Sequence, residues 1–464
     1  MKHRGTAASD PHAVLDRYDL TVLALGSIIG AGIFIVIGDT AATAEGHPGV
    51  GPGVSIAILL AAMIAFPIAL CYAELSTIYP HAGTAYTYTK HAMGDFPAFM
   101  TGWSLYAPFG MIALAVGWAD YVNNLFSSYD IQLKELFHAS LSGSNWLAIA
   151  IAVLMIALAS RELRWSRRLA TVLLSVNVAI AFGFISLAFQ HVNPSNWWPV
   201  LPSEYSPFQH VNLVLAATAT LFYAFTGFET AAAMAQDSIA PQKDIPYAIK
   251  NALIIATLMY LLVGLGLTGM LRSDEIELGA SLSKAVTLIG QPWAAQCIGI
   301  GIVSAFSCVL LTTLLRQSRL GYAMANECSD NSPNEKPAVS LAVTTYVTGI
   351  VLLAFLILGF STREAVEIYC LSVLFGYCIV CLDLIALRIQ KPTLHRPFLV
   401  PFGKLVGTTG ISACLILMIQ LPLKAWVWFL AWMAAGFLTF CIRVRVQAMQ
   451  TLESGSPMEH SQRS

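Results

Sequence analysis

Two stretches of this chain put unusual chemistry inside otherwise apolar sequence. Leu25 to Phe34 reads L-G-S-I-I-G-A-G-I-F, with Gly26, Gly30 and Gly32 in the middle of a long apolar run. Leu221 to Met234 reads L-F-Y-A-F-T-G-F-E-T-A-A-A-M, with Gly227 beside Glu229. Small residues at helical spacing serve close packing between membrane helices. They also let a helix open, which frees amides and carbonyls to hold a ligand near the midplane. Glu229 favours opening, because an ionisable group well inside a span costs about 2.5 kcal/mol or more and is retained for a purpose. The alternative for Glu229 is a helix–helix hydrogen bond.

The elements that must position these residues are set by composition. Of 464 residues, 57% are hydrophobic and 11% charged, against about 25% charged in a soluble domain. The chain therefore reads as an all-α polytopic membrane protein. A span needs about 20 predominantly apolar residues, which gives twelve transmembrane helices. They cover 20–44, 53–79, 95–126, 144–160, 167–190, 210–238, 247–271, 288–326, 338–360, 364–389, 403–421 and 424–442. With the N-terminus inside, cytoplasmic segments hold twenty of the twenty-five Lys and Arg residues. This asymmetry places both termini in the cytoplasm. No signal-peptide h-region or cleavage site occurs in Met1 to Asp19, so the first span is expected to stay in the mature protein. The localisation expected is the inner, cytoplasmic membrane of a cell.

Several function classes lose support. The net charge of −1 gives no footprint for nucleic acid. No G-x-x-x-x-G-K-[ST] phosphate loop is present, and no polar stretch reaches the roughly 50 residues of an independent domain. There is no H-E-x-x-H, and all ten histidines fall in loops, tails or span ends. Zinc chemistry and a core histidine relay are therefore disfavoured, and neither enzyme activity, metal nor cofactor is expected. Nine cysteines, mostly inside apolar segments, do not form a disulfide framework. Cys378 and Cys381 form a C-x-x-C that reads as packing.

The two interrupted spans, the first and the sixth, hold matching places in two groups of five. This is the sequence pointer to an inverted-repeat transporter with its site between the breaks. Amides around Ala31 to Ile33 would face a carboxylate with the positive end of a helix dipole. Carbonyls freed at Ile28, Tyr223 and Thr226 would face an ammonium. An α-amino acid fits both. The division expected is an N-terminal tail at 1–19, repeats at 20–190 and 191–389, peripheral helices at 390–445 and a tail at 446–464, polar and disordered.

The motifs resemble those of the amino acid–polyamine–organocation superfamily of permeases, in particular its bacterial members similar to cationic amino acid transporters. Four stretches carry the resemblance: Gly26 to Phe34; A-E-L-S-T-I-Y-P-H-A-G-T-A-Y at Ala73 to Tyr86; F-Y-A-F-T-G-F-E at Phe222 to Glu229 with P-Q-K-D-I-P at Pro241 to Pro246; and R-Q-S-R-L-G-Y-A-M-A at Arg316 to Ala325. It implies a LeuT-type fold of ten core helices in a 5+5 inverted repeat with helices 1 and 6 broken, plus two peripheral helices, working by alternating access. By position, Ile28, Gly30, Ala31, Gly32, Tyr223, Phe225 and Thr226 would bind the substrate, the aromatics acting as gates. Glu229 would sense protons or stabilise the unwound segment.

Departures bear on coupling. Proton-coupled relatives carry a lysine on the fifth helix, and here the position reads Asn177. An amide cannot switch its charge as an ammonium can. The hydroxyls that would complete a sodium site on the eighth helix read Ser307 and Cys308, and a thiol is a poor ligand for a hard cation. Coupling through Glu229, or exchange without an ion, remains. Pro108 should kink the third helix, at a cost tolerated where neighbours re-satisfy the freed carbonyl. A cationic substrate would want a further carboxylate, yet Glu74, Asp120 and Asp383 lie nearer span ends than the midplane, so a neutral amino acid is favoured. A cationic amino acid or polyamine exchanger and a non-transporting sensor on the same fold are the alternatives. Arg161, Arg164, Arg167 and Arg168 are expected at anionic lipid headgroups, and Arg316 and Arg319 at an inner gate with acids near the first two helices. The oligomeric state is left open.

Overall fold

The computed structural model describes residues 15–30, 32–42, 49–81, 83–127, 146–161, 163–201, 206–276, 281–326 and 339–453. Those residues form helices joined by short connections, with one isolated bridge between Leu15 and Ser238. Eight helical stretches among them are long and apolar enough to cross a membrane. Three shorter apolar helices, Trp146–Ala159, Leu341–Leu356 and Gly403–Ile419, accompany them. The first apolar segment is broken into pieces.

The first segment starts as α1 (Arg17–Ile28), entered through a capping box in which Asp16 accepts the Asp19 amide and Asp19 returns the bond. It leaves the α geometry at Ile29, continues as a π-helical turn over Gly32–Val36 and closes with α2 (Ile37–Ala41). The long α3 (Val54–Ile78) follows, then a short α4 (Ala85–Met93) that hydropathy does not reveal. The third segment divides into α5 (Asp95–Leu105) and α6 (Phe109–Ser127) around Pro108. Gln317 Nε2 donates to the Ala107 carbonyl at 3.1 Å and to that of Leu105 at 3.4 Å. The Ser104 carbonyl, which loses its donor to Pro108, accepts the Ala107 amide at 3.3 Å instead, and Gln317 satisfies carbonyls at the turn between the two helices.

Next come α7 (Trp146–Ala159) and α8 (Leu163–Gln190). The sixth segment consists of α9 (Pro207–Phe225), started by a Ser206–Gln209 capping box, and α10 (Glu229–Ala233). Between them Thr226 is extended and Gly227 has φ +119°, a region open chiefly to glycine. The chain ends with α11 (Pro241–Met270), α12 (Ser281–Leu288), α13 (Pro292–Asn326), α14 (Leu341–Leu356), α15 (Thr362–Gln390), α16 (Gly403–Ile419) and α17 (Leu423–Glu453). The expectation of a disordered tail beyond Arg445 is corrected for 446–453, and 454–464 lie outside the described residues. Valine, glutamine, alanine and methionine continue the helix to Glu453, because each is compatible with a turn already nucleated.

Around α1 pack α8, α11 and α13, while α3 packs on α9 and α11. α15 runs against α3, α4 and α6. The largest fully buried side chains, including Tyr72, Tyr260, Tyr377, Phe225 and Phe228, gather around the two breaks.

Candidate substrate cavity

The two breaks touch. A Cβ built on Gly227 would lie 2.8 Å from the Ser27 backbone carbonyl, so only glycine permits this approach. Beside the contact is a narrow cavity lined by Ser27, Ile28 and Gly30 from the first break and by Tyr223, Thr226 and Gly227 from the second. Val309, Thr313 and Arg316 of α13, Gly110 and Leu114 of α6, and Tyr369 of α15 complete it. A Cβ on Gly30 would fall 2.3 Å from a Val309 methyl, so this glycine also keeps α13 close.

Glu229 is buried at 5% exposure and holds the second break together. Its carboxylate accepts the Gly227 amide at 3.0 Å and the Tyr377 hydroxyl at 2.8 Å. The Arg316 guanidinium forms an ion pair with its other oxygen. Arg316 also reaches the Tyr369 hydroxyl at 3.3 Å. This corrects the expectation for Arg316, which faces the cavity rather than an inner gate. The signal was present in the sequence: Arg316 follows L-L-T-T-L-L inside an apolar segment. A buried charge there needs an opposite partner at similar depth, and Glu229 is one.

Of the residues expected to bind substrate, Ile28, Gly30, Tyr223 and Thr226 line the cavity. Gly32 opens the π-helical turn, and Ala31 lies outside the described residues. Phe225 sits elsewhere. It is fully buried and packs edge-on against Tyr260 with ring centroids 5.2 Å apart, so it supports the break from behind. The carbonyls expected to be free are partly occupied. The Tyr260 hydroxyl lies 2.7 Å from the Ile28 carbonyl and 2.8 Å from that of Ala224, and its one proton bridges them. The Tyr223 carbonyl accepts the Thr226 hydroxyl at 2.8 Å and its amide at 3.2 Å. Tyr260 was not foreseen, because a lone tyrosine in an apolar helix carries no sequence signal of its partner.

The residues considered for ion coupling separate. Cys308 is fully buried, with Sγ 3.7 Å from the Ala170 carbonyl of α8, against Gly26 of α1. Ser307 turns toward α6, accepting Trp118 Nε1 at 3.1 Å and donating to the Val303 carbonyl at 2.8 Å. Asn177 is fully buried with neither amide atom hydrogen-bonded. None of the three acids weighed for a cationic substrate is among the lining residues. Glu74 accepts Arg388 Nε at 3.0 Å and the Val400 amide at 2.8 Å, with Arg396 at 3.3 Å.

At one end of the bundle the chain is latched. Arg319 donates to Asp237 through Nε at 3.1 Å and Nη2 at 2.6 Å, so its partner lies after the sixth span, not near the first two. Leu15 exchanges backbone hydrogen bonds with Asp237 and Ile239, each 2.9 Å. Arg167 pairs with Asp19 at 2.5 Å rather than facing lipid alone.

Residues 15–442 match the profile of the family described as Amino acid permease. The chain belongs to this family, within the amino acid–polyamine–organocation superfamily. It is 31% identical over 446 residues to the Methylthioribose transporter of Bacillus subtilis, covering 94% of each chain. It is 29% identical over 450 residues to the Branched-chain amino acid permease of the same organism, covering 93% of each. Cationic amino acid transporter 4 of Homo sapiens is 30% identical over 387 residues, covering 81% of this chain and 60% of the human one. The family is one of transporters, and this permease is accordingly a multi-pass membrane protein.

Proposed function

We propose that this permease is a secondary transporter moving a neutral amino acid across the cytoplasmic membrane by alternating access, as a proton-linked symporter or an exchanger. In this reading twelve spans form two inverted groups of five with two peripheral helices, and both termini face the cytoplasm. The observation that carries it is the cavity between two touching helix breaks, lined by glycine, hydroxyl and aromatic groups. Amides at the breaks suit a carboxylate. Glu229, held by the Gly227 amide, Tyr377 and Arg316, acts as a strut of the unwound segment.

Arg316 supports a neutral side chain. It is the one charged residue lining the cavity among the described residues. Its charge is taken up by Glu229, and no carboxylate lines the cavity among the described residues, so a cationic side chain finds no counter-charge there. A cationic amino acid or polyamine, as in the relatives named for cationic amino acids, is thereby disfavoured. A second reading has its own support. With the Ile28 and Tyr223 carbonyls already hydrogen-bonded, a neutral solute without an ammonium, of the kind the methylthioribose relative is named for, suits the hydroxyls of Tyr223, Thr313 and Tyr369.

The test is uptake into liposomes from a panel of labelled neutral and cationic amino acids, methylthioribose and putrescine. Neutral amino acids should be taken up best. Preference for methylthioribose would move the assignment to the second reading, and no uptake of any solute would favour a sensor on the same fold.

A further inference from the structure

Asp383, outside the cavity, is a buried acid with no role in the site just described. It lies on α15, with no solvent exposure. Its Oδ2 accepts the Thr89 hydroxyl of α4 at 2.7 Å, and its Oδ1 has no hydrogen-bond partner. Among the described residues it forms no ion pair: Arg388, farther along the same helix, is committed to Glu74. Facing it from α3 is Tyr72, whose hydroxyl is also buried without a partner. Both oxygens are buried without a hydrogen-bond partner, and they do not hydrogen-bond to each other.

Titratable groups on the surrounding elements do not neutralise it. α3 brings Tyr72, Cys71 and Glu74, the last already paired with Arg388 and Arg396. α4 brings Tyr88, Lys90 and His91. His91 meets the Thr87 carbonyl through Nδ1 and stacks on Tyr79. α16 contributes Cys414 and α15 itself Cys378 and Cys381. α5, α6 and α17 meet α15 nearer its start, at Leu105 on Gly376, Gly110 on Tyr369 and Phe429 on Phe375, and these contacts carry no charge.

An isolated carboxylate in such surroundings costs several kcal/mol, and the cost disappears when it binds a proton. Ring packing runs from Tyr72 to the helix break at the substrate site. Tyr72 packs edge-on against Tyr377 and Phe228, each with centroids 5.7 Å away. Tyr377 lies on the same helix as Asp383 and donates to Glu229 at the break.

We propose that Asp383 is the proton-binding group that couples this permease to a pH gradient, in place of Glu229. Oδ1 carries one proton in the form described here. When the end of α15 near α4 opens, that proton passes to water and leaves a hydrated carboxylate. The proposal rests on the secondary-transporter reading above.

The experiment uses the full chain in liposomes, measuring counterflow of the best neutral amino acid without a gradient and accumulation under a gradient of one pH unit. One proton per substrate supports about tenfold accumulation. Wild type should approach it. Asp383→Asn should keep counterflow and lose the gradient-driven part, while Glu229→Gln should keep its response to pH in whatever transport survives. Accumulation by Asp383→Asn equal to wild type would overturn the proposal. So would wild-type counterflow with no response to pH, or sodium stimulation that disappears in Asp383→Asn. A second measurement covers a variant that does not fold and is independent of transport. Dicyclohexylcarbodiimide, an apolar reagent for protonated carboxyl groups, should label Asp383 of the wild-type protein increasingly as pH falls, read by peptide mass spectrometry. No adduct at any pH would overturn the proposal. Absence of counterflow with every solute would instead count against the transporter reading, leaving the carbodiimide result to decide on Asp383.

Discussion

Arg316 and Glu229 are opposite charges in a low-dielectric interior, and each makes the other tolerable. Removing one partner of a buried pair leaves an uncompensated charge and costs roughly 3–5 kcal/mol. Arg316→Met and Glu229→Gln should each lower the thermal stability of the purified protein, and the double variant should lose less than the two single losses added together. Equal, additive losses in a double-mutant cycle would show that the pair is not energetically coupled. Gly227 is constrained differently. Its φ of +119° and the 2.8 Å approach to Ser27 backbone leave no flexible atom to give way. Gly227→Ala should abolish transport, whereas Gly183→Ala, with open space around the added methyl, should transport as wild type does.

The break around Pro108 stands or falls by a residue on another helix. Gln317 satisfies the Ala107 carbonyl, and an orphaned buried acceptor costs about 1–3 kcal/mol. Gln317→Leu should therefore lower the melting temperature measurably even though the substitution adds apolar surface, and an unchanged melting curve would contradict this role. This element shows how far the sequence can be read. The kink was legible from Pro108, and so was the need for a neighbour, but the neighbour's identity depends on which residue of α13 faces α5. The same limit separates Glu229 from Arg316. Both were visible as charges in apolar segments, but only packing of α10 against α13 joins them. Phe225 was misplaced because residues two apart on a helix point about 200° away from each other, and the last turn of α9 turns Tyr223 toward the cavity and Phe225 toward Tyr260. The short α4 escaped notice because it is amphipathic and lies between spans.

At the scale of the molecule, the positions of the apolar helices, the two interruptions and their meeting point follow from hydropathy and glycine placement. The latch of Leu15, Asp237 and Arg319 does not, because it joins a terminal strand-like residue to a loop and to a third element. In the alternating-access cycle proposed above, this contact would open and reclose. Asp237→Asn weakens the ion pair, so it should raise the rate at which an impermeant maleimide on the Arg319 side labels a cysteine introduced at Ser27. Labelling no faster than in the unmodified latch would mean that this end is not a gate.

The central claim is that the transported solute sits between the two helix breaks. It is tested most directly by an experimental structure of the protein with its best-transported neutral amino acid. The account predicts density against Gly30, Thr226 and Gly227, with the solute carboxylate on the amides of the breaks and its side chain toward Gly110 and Tyr369. Density for the solute elsewhere, with the space between the breaks unfilled in transport-competent protein, would contradict it.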